Sequence, residues 1–600
     1  MRSMMLFMLL ALAVLLGYQF FFQPKPATQQ PQQQTQQAAG QPQLAQPQAQ
    51  VAQPQLASAP VNAVSPTIAA ELETTTTVEN EYYRIVFTNR GAHVKSWVLK
   101  KYFDTAGKPL DMVQPQTAAY FGCPLSLFTY EPALNNELNK AALYQVTASG
   151  AQPTVTGHVD VPATSALTFH YAANGVDVVK SFRFDASYVL TVEAKVTRNG
   201  VPVRALVEWP AGLGDMEEFL PTSTTRSSIR TSALSQLAWS LNGKQDTETV
   251  TKISNNATLD LPYSYAAVAD LYFTAAFLPD APERTTLVTL HNTIDLPKDL
   301  SDPNSEKSPA HVLGLAMGDV SGTTRLRLYA GPKAMDLLRS IHPTGAGSQS
   351  LEPLIQFGWL TVIAKPLYLA LRFLVEHGIN SWGWSIILFT AIFTFIMMPT
   401  RFMMLKSSLK MMRIQPKVDA IKARYANLKA TDPKRANMNT EMMELYKVEG
   451  VNMYGSCLPM LIQMPLFFAY FRLLQNTVEL RQAHWFWLND LSAPDPLHIL
   501  PILIIITMFL TQFITPAPGM DAAQRRMMAI MMPVMFGFFL WHYASGLALY
   551  WGTSNVINLA LQIGINNSHT GREMRAIADK RAAKKSGGPK TIQGGPIRRK

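Results

Sequence analysis

Five apolar runs, at about residues 382–402, 457–475, 497–515, 527–543 and 545–566, crowd the last third of this 600-residue chain. Each is close to the ~20 residues that a helix needs to cross a hydrocarbon core. In lipid, every backbone polar group must be satisfied within the segment or a closed barrel, so runs of this kind predict a polytopic α-helical membrane protein. A sixth uncharged run, "MMLFMLLALAVLLGYQFFF" at 4–22, follows Arg2 and ends in aromatic residues suited to an interface. No small-x-small cleavage site follows it promptly, so residues 1–22 read as an uncleaved anchor, with a cleaved signal peptide as the rival.

Charge is placed around these runs rather than spread. The net charge is +11. The segment 403–456 carries Lys406, Lys410, Arg413, Lys417, Lys422, Arg424, Lys429, Lys434, Arg435 and Lys447, and the tail 567–600 ends in a basic stretch. The loop 476–496 carries Glu479, Asp490 and Asp495 against Arg481. The positive-inside rule puts 403–456, the tail and the N-terminus in the cytoplasm, and residues 75–345 on the outer side. This distribution argues against DNA binding.

Residues 23–74 form a linker, rich in Gln and Pro up to residue 65, that cannot bury enough apolar area to offset chain entropy. Residues 75–345 read as β. Asn89-Arg90-Gly91, Asn174-Gly175, Asn199-Gly200 and Asn242-Gly243 mark hairpin turns between short β-branched runs. A large two-sheet sandwich is expected. In 353–377, Lys365, Arg372 and Glu376 share one face of an otherwise apolar helix, which suits a helix lying in the membrane interface. Within 403–456, Met411, Ile414, Val418, Ile421, Tyr425 and Leu428 step by three and four, a coiled-coil seam. Asp432 and Pro433 then start a second helix with Met438, Met442 and Leu445, giving an antiparallel hairpin. Its basic face suits solvent, anionic lipids or ribosomal RNA.

No Cys/His spacing resembles a metal site. Neither Gly107-Lys108 nor Gly243-Lys244 continues as a phosphate loop, and the His and acidic residues of the β region are scattered. The chain reads as a non-enzyme without cofactors. Cys123 and Cys457 fall on opposite sides of the membrane, so no disulfide is expected between them.

"LKMMRIQPKVDAIKARY", "EMMELYKVEGVN", "GSCLPMLIQMPLFFAYF", "DLSAPDP", "MMPVMFGFFLWHYASGLALYW" and "SNVINLALQ" follow one another over the core. Together they resemble the YidC/Oxa family of membrane protein insertases, and the outer β region resembles the periplasmic β-supersandwich of Gram-negative members. The resemblance implies a bacterial inner-membrane insertase and chaperone. It implies a five-helix core whose hydrophilic groove opens to the cytoplasm and lipid and is shut toward the periplasm. Nascent membrane proteins are then the clients, with the Sec translocon, the ribosome and anionic lipids as partners. Carried over by motif, Thr390, Thr394, Met464, Pro465, Phe539 and Trp551 line the groove. The family usually has a basic residue five positions before the proline that ends the first core span; here that proline is Pro399 and the position holds Thr394.

Arg472 lies seven residues after Pro465 and so shares its helix face. Two readings stay open: Arg472 replaces the missing groove cation, or it snorkels to headgroups. Gln463 is either a polar groove wall or an interhelical hydrogen-bonding group. A secondary transporter would show inverted repeats, which are not found. An envelope scaffold with a glycan-binding β domain is the other rival.

Overall fold

The computed structural model describes residues 67–104, 107–149, 158–162, 166–215, 235–297, 306–345, 347, 349–425, 434–450, 458–515, 522–569 and 571–577. The expected anchor at 1–22, most of the linker, Leu428, Asp432, Pro433 and Cys457 lie outside the described residues. The chain divides into two units: 1–331 with 342–349, and 332–341 with 350–600.

The first unit is built of strands. The Asn-Gly pairs turn as their chemistry requires: φ is +53° and +77° at Asn174-Gly175, +52° and +80° at Asn199-Gly200, and +51° and +79° at Asn242-Gly243. The Asn89 turn differs. Its positive φ values fall one step later, at Gly91 and Ala92. Asn89 instead spends its side chain on three segments, accepting from Thr74 N (2.7 Å) and donating to the carbonyls of Leu72 (2.9 Å) and Tyr144 (3.2 Å). A Cβ at Gly91 would lie 2.1 Å from the Asn139 carbonyl oxygen, so glycine is required there.

The expected two-sheet sandwich is corrected to three sheets, of five, ten and five strands. The first contains Tyr83–Thr88 and His93–Phe103; the ten-stranded sheet contains Ala166–Ala173, Val176–Phe184 and Val189–Arg198. The third is built on the hairpin of Thr285–Pro297 and Lys307–Asp319, joined by Leu206–Trp209 and Ser126–Phe128. Phe87 of the first sheet packs on Phe182 of the second, ring centroids 5.0 Å apart. Trp97 of the first meets Trp209 of the third at 5.9 Å. Phe87, Trp97 and Trp209 are all fully buried. Strands such as Val176–Phe184 alternate between buried and more exposed positions, whereas Tyr263–Ala269 and Phe273–Pro279 are buried throughout; the division into three sheets depends on partners far away in sequence.

The second unit is helical: α1 Met335–Ser340, α2 Thr361–Leu374, α3 Trp382–Ile396, α4 Met398–Arg424, α5 Lys434–Val448, α6 Leu458–Asn476, α7 Ile499–Ile514, α8 Ala522–Leu540 and α9 Ser545–Asn567. The first expected run, 382–402, is divided. The helix breaks at Met397, and α4 continues unbroken from Met398 into the hairpin. Pro399 sits in the first turn of α4, where its missing N–H costs nothing. Among the described residues, no single helix is both long and apolar enough to cross a membrane by itself. The segment Thr361–Ile379 passes that test only together with α3, from which it is bent by 117°. In α6, polar residues such as Gln463, Arg472 and Gln475 interrupt the apolar run.

Among the described residues, α4 and α5 pack along an apolar seam. Ile414 and Val418 are buried against Met411, Met442, Leu445 and Tyr446, and Ile421 is buried. The basic face is partly neutralised within the protein: Arg413 pairs with Glu573, Lys417 with Glu449, and Arg424 with Glu441 at 2.7 Å.

Candidate client groove

The bundle of α3, α6, α7, α8 and α9 places small and polar side chains inward. On α3, Gly383, Ser385, Ile386, Thr390 and Thr394 are buried, whereas Phe395 and Ile396 are exposed. On α9, the turns Ser545–Tyr550 are buried. The two threonines expected in the groove bond to their own helix. Thr390 Oγ1 donates to Ile386 O (2.6 Å) and Thr394 Oγ1 to Thr390 O (2.7 Å). Such back-bonding lets a hydroxyl sit in an apolar helix without a partner elsewhere, and leaves its lone pairs available as acceptors.

Aromatic rings tie the helices together. Tyr470 of α6 stacks parallel to Phe389 of α3 at 5.5 Å and tilts against Tyr550 of α9 at 4.4 Å. Trp551 packs between Phe467 (4.9 Å) and Phe536 (4.8 Å). Phe539 stacks on Tyr543 at 4.2 Å, and Tyr543 meets Phe471 at 5.6 Å. Gln463 is hydrogen-bonded to the Tyr550 side chain. The Tyr470 hydroxyl, Ser385 Oγ and Asn555 Nδ2 are buried with no hydrogen-bond partner among the described residues. Burying polar groups unpaired is costly, so their accumulation on α3, α6 and α9 marks a wall built for polar company.

The sequence-expected residues fall unevenly on this wall. Gln463, Phe539 and Trp551 join it through the contacts above, and Thr390 and Thr394 lie on the buried face of α3. Met464 is exposed and Pro465 half-buried. Arg472 is half-buried, and its carbonyl accepts from Asn476 Nδ2 at 2.7 Å. Tyr470, Tyr543, Tyr550, Ser385 and Asn555 were missed. The available signal was their type: hydroxyl- and amide-bearing residues inside apolar runs.

The loop after α6 straps one end of the bundle. Ser545 N donates to Ala493 O (2.7 Å), Gly546 N to Leu491 O (2.8 Å) and Ser545 Oγ to Asp490 O (3.0 Å). Asp495, almost fully buried, accepts from the N–H groups of Leu497 (3.0 Å) and Leu500 (2.8 Å) and from Trp487 Nε1 (3.1 Å). Helix α2 is held to this end, because Tyr368 Oη donates to Glu479 at 2.8 Å. Burial raises the Glu479 pKa above the ordinary carboxylate range. The stripe expected to face headgroups is engaged by protein: Lys365 pairs with Glu352 (2.7 Å), and Arg372 with Asp336 and Glu376.

The comparisons with known proteins agree with one another. The profile "60Kd inner membrane protein" matches residues 374–572, and "YidC periplasmic domain" matches residues 75–370. The membrane protein insertase YidC of Syntrophus aciditrophicus is 30% identical over 584 residues, covering 94% of this chain and 99% of that protein. The Cupriavidus necator protein of the same name is 31% identical and covers 85% of each chain. The Campylobacter jejuni one is 43% identical over 239 residues, covering 40% of this chain and 43% of its own length. Matched along nearly its whole length, with a periplasmic domain followed by a membrane domain, the chain belongs to the YidC family of inner-membrane proteins.

Proposed function

We propose that this protein is a membrane protein insertase that guides nascent apolar segments into the inner membrane along the α3–α6–α9 wall. The observation that carries this reading is the inverted arrangement of the bundle. Hydroxyl groups (Ser385, Thr390, Thr394, Tyr470) gather inside, with the exposed Gln463 at their edge bonded to Tyr550, while many large apolar side chains face out. A client's apolar helix passes Met464, Pro465, Phe539 and Trp551 toward lipid. Its polar flank is held by the hydrated wall in the meantime. Each Leu, Ile, Phe or Val that reaches the bilayer centre gains roughly 0.3–0.6 kcal/mol, so partitioning itself drives release, with no nucleotide hydrolysis by the protein.

In this reading residues 1–22 anchor the chain, 75–345 are periplasmic, 353–377 lie at the interface, 382–566 form the five-span core, and 403–456 and 567–600 are cytoplasmic. Chaperone activity, cooperation with a Sec translocon, and ribosome and anionic-lipid contact through the hairpin and tail belong to the same proposal. Arg472 serves as the cation that attracts acidic residues in a client's translocated tail. Arg472→Ala then slows acidic-tailed clients selectively; equal slowing of neutral-tailed clients, or no slowing, makes it a headgroup anchor. The deciding experiment is photocrosslinking from Met464 to a ribosome-stalled membrane protein. Adducts at 464 but not at the outward-facing Ile506 are expected. Equal or absent labelling at 464 would overturn the groove assignment.

A further inference from the structure

The loop at the strapped end of the bundle contains "HWFWLN", residues 484–489, folded as a two-residue hairpin. Trp485 N donates to Leu488 O (2.8 Å) and Leu488 N to Trp485 O (2.9 Å), leaving Phe486 and Trp487 at the tip. Phe486 has φ +49°, whereas Trp487 is not among the positive-φ residues. A hairpin with positive φ only at its first central residue normally has glycine there, because a Cβ is strained in that conformation. Here the position holds phenylalanine. Strain of this kind persists where something in the surroundings offsets it.

Protein packing does not supply that offset. Phe486 is 61% exposed and, among the described residues, its ring meets only its fellow rings of the cluster, Trp384 (itself 45% exposed), Trp485 and, more loosely at 6.4 Å, Trp487. The neighbouring tryptophans are fixed by the protein. Trp485 lies so close over Gly383 that a Cβ there would come within 2.3 Å of its ring, and Trp487 is tied to Asp495. The tip is therefore seated rigidly on the first turn of α3 with one ring thrust outward. On either side, His484 and Asn489 are exposed and polar.

We infer that this hairpin is a bilayer anchor: Phe486 and Trp384 insert into the headgroup–acyl boundary of a phospholipid leaflet and fix the depth of the loop that straps the bundle. Phospholipid is the occupant that the chemistry selects. Aromatic rings flanked by polar groups, at the helix ends of an inner-membrane protein, match the boundary where one side is apolar and the other wet. A water-exposed phenylalanine in a glycine position would carry the strain with nothing in return. The inference rests on the membrane location that family membership carries and not on client handling, so it can fail without the insertase reading failing.

The test uses the full chain with Cys123→Ser and Cys457→Ser, a single cysteine at 486 or 489 labelled with an environment-sensitive fluorophore, and vesicles of phosphatidylethanolamine and phosphatidylglycerol. Doxyl-labelled lipid is expected to quench the 486 probe about two-fold or more beyond the 489 probe, as an interfacial depth requires, with aqueous iodide giving the reverse order. Equal lipid quenching at both positions would overturn the proposal. Phe486→Gly checks the same point without a label at the tip. Its thermal unfolding in detergent should be unchanged or raised, because the turn is relieved, while a probe at 489 becomes more accessible to iodide in vesicles. A lowered unfolding temperature in detergent would show instead that the ring is held by protein.

Discussion

The two units of this protein differ in what they bury and what they expose. In the strand unit, the largest aromatic side chains are innermost: Trp97, Trp209, Phe87 and Tyr144 have no exposed surface. Its one fully buried lysine, among the described residues, is neutralised by geometry. Lys180 Nζ donates to the carbonyls of Ala92 and Leu125, the latter at 2.6 Å, with Glu208 nearby. In the helical unit, Ser385, Ser545 and Thr390 share the interior with Ile386, Leu473 and Ile504, while Phe538, Phe513 and Ile530 face out. The comparison teaches that burial is not one rule but a choice of solvent. Water outside drives aromatic rings inward; hydrocarbon outside removes that drive and lets small residues bring helices close.

The most damaging way to test the strand side is Lys180→Ala. It leaves the buried carbonyls of Ala92 and Leu125 without their donor, and about 1–3 kcal/mol of stability should be lost for each. Hydrogen exchange of strand Val176–Phe184 in the full chain would report it. A loss below about 1 kcal/mol would mean that the lysine is dispensable packing. The matching test on the helical side is Ile506→Arg, at an exposed position midway along α7. An exposed site on a soluble protein would tolerate it within about 0.5 kcal/mol. A lipid-facing one should cost about 2.5–3.5 kcal/mol in vesicles, read as alkaline extractability of the full chain. Tolerance in vesicles would break the comparison.

A third prediction concerns protons. Burial, with Lys180 and Lys95 adding repulsion, lowers the His93 pKa from 6.5 to about 3. The folded imidazole stays neutral while the unfolded one takes up a proton as the pH falls through 6.5. The strand unit should therefore lose stability on acidification, on the order of 1–2 kcal/mol between pH 6.5 and 5. His93→Asn should flatten that limb in denaturant titrations; an unchanged slope would place the proton elsewhere. The smallest effect is expected from Thr390→Ala. Removing a back-bonded hydroxyl should change stability by only about 0.5–1 kcal/mol. A larger fall in insertion rate than in folded fraction would separate a client-facing role from a structural one. Parallel losses would leave Thr390 a helix-packing residue.

Sequence alone determined the features that depend on a few neighbouring residues. Asn-Gly chemistry set three turns, because φ > 0 is an intrinsic preference of those residues. The spacing of Met411, Ile414 and Val418 set the hairpin seam, because helical periodicity alone brings them to one face. The apolar runs foretold four of the core helices to within a few residues, α8 least closely, because length and hydropathy suffice for that. Tertiary structure decided what required distant partners. It divided the strands into three sheets, made Lys180 interior, and turned Lys365 and Arg372 toward Glu352 and Asp336. It also brought Tyr470 of one run against Tyr550 of another, 80 positions away. These pairings rest on burial and charge compensation, which are properties of the folded neighbourhood and leave no periodic trace along the chain.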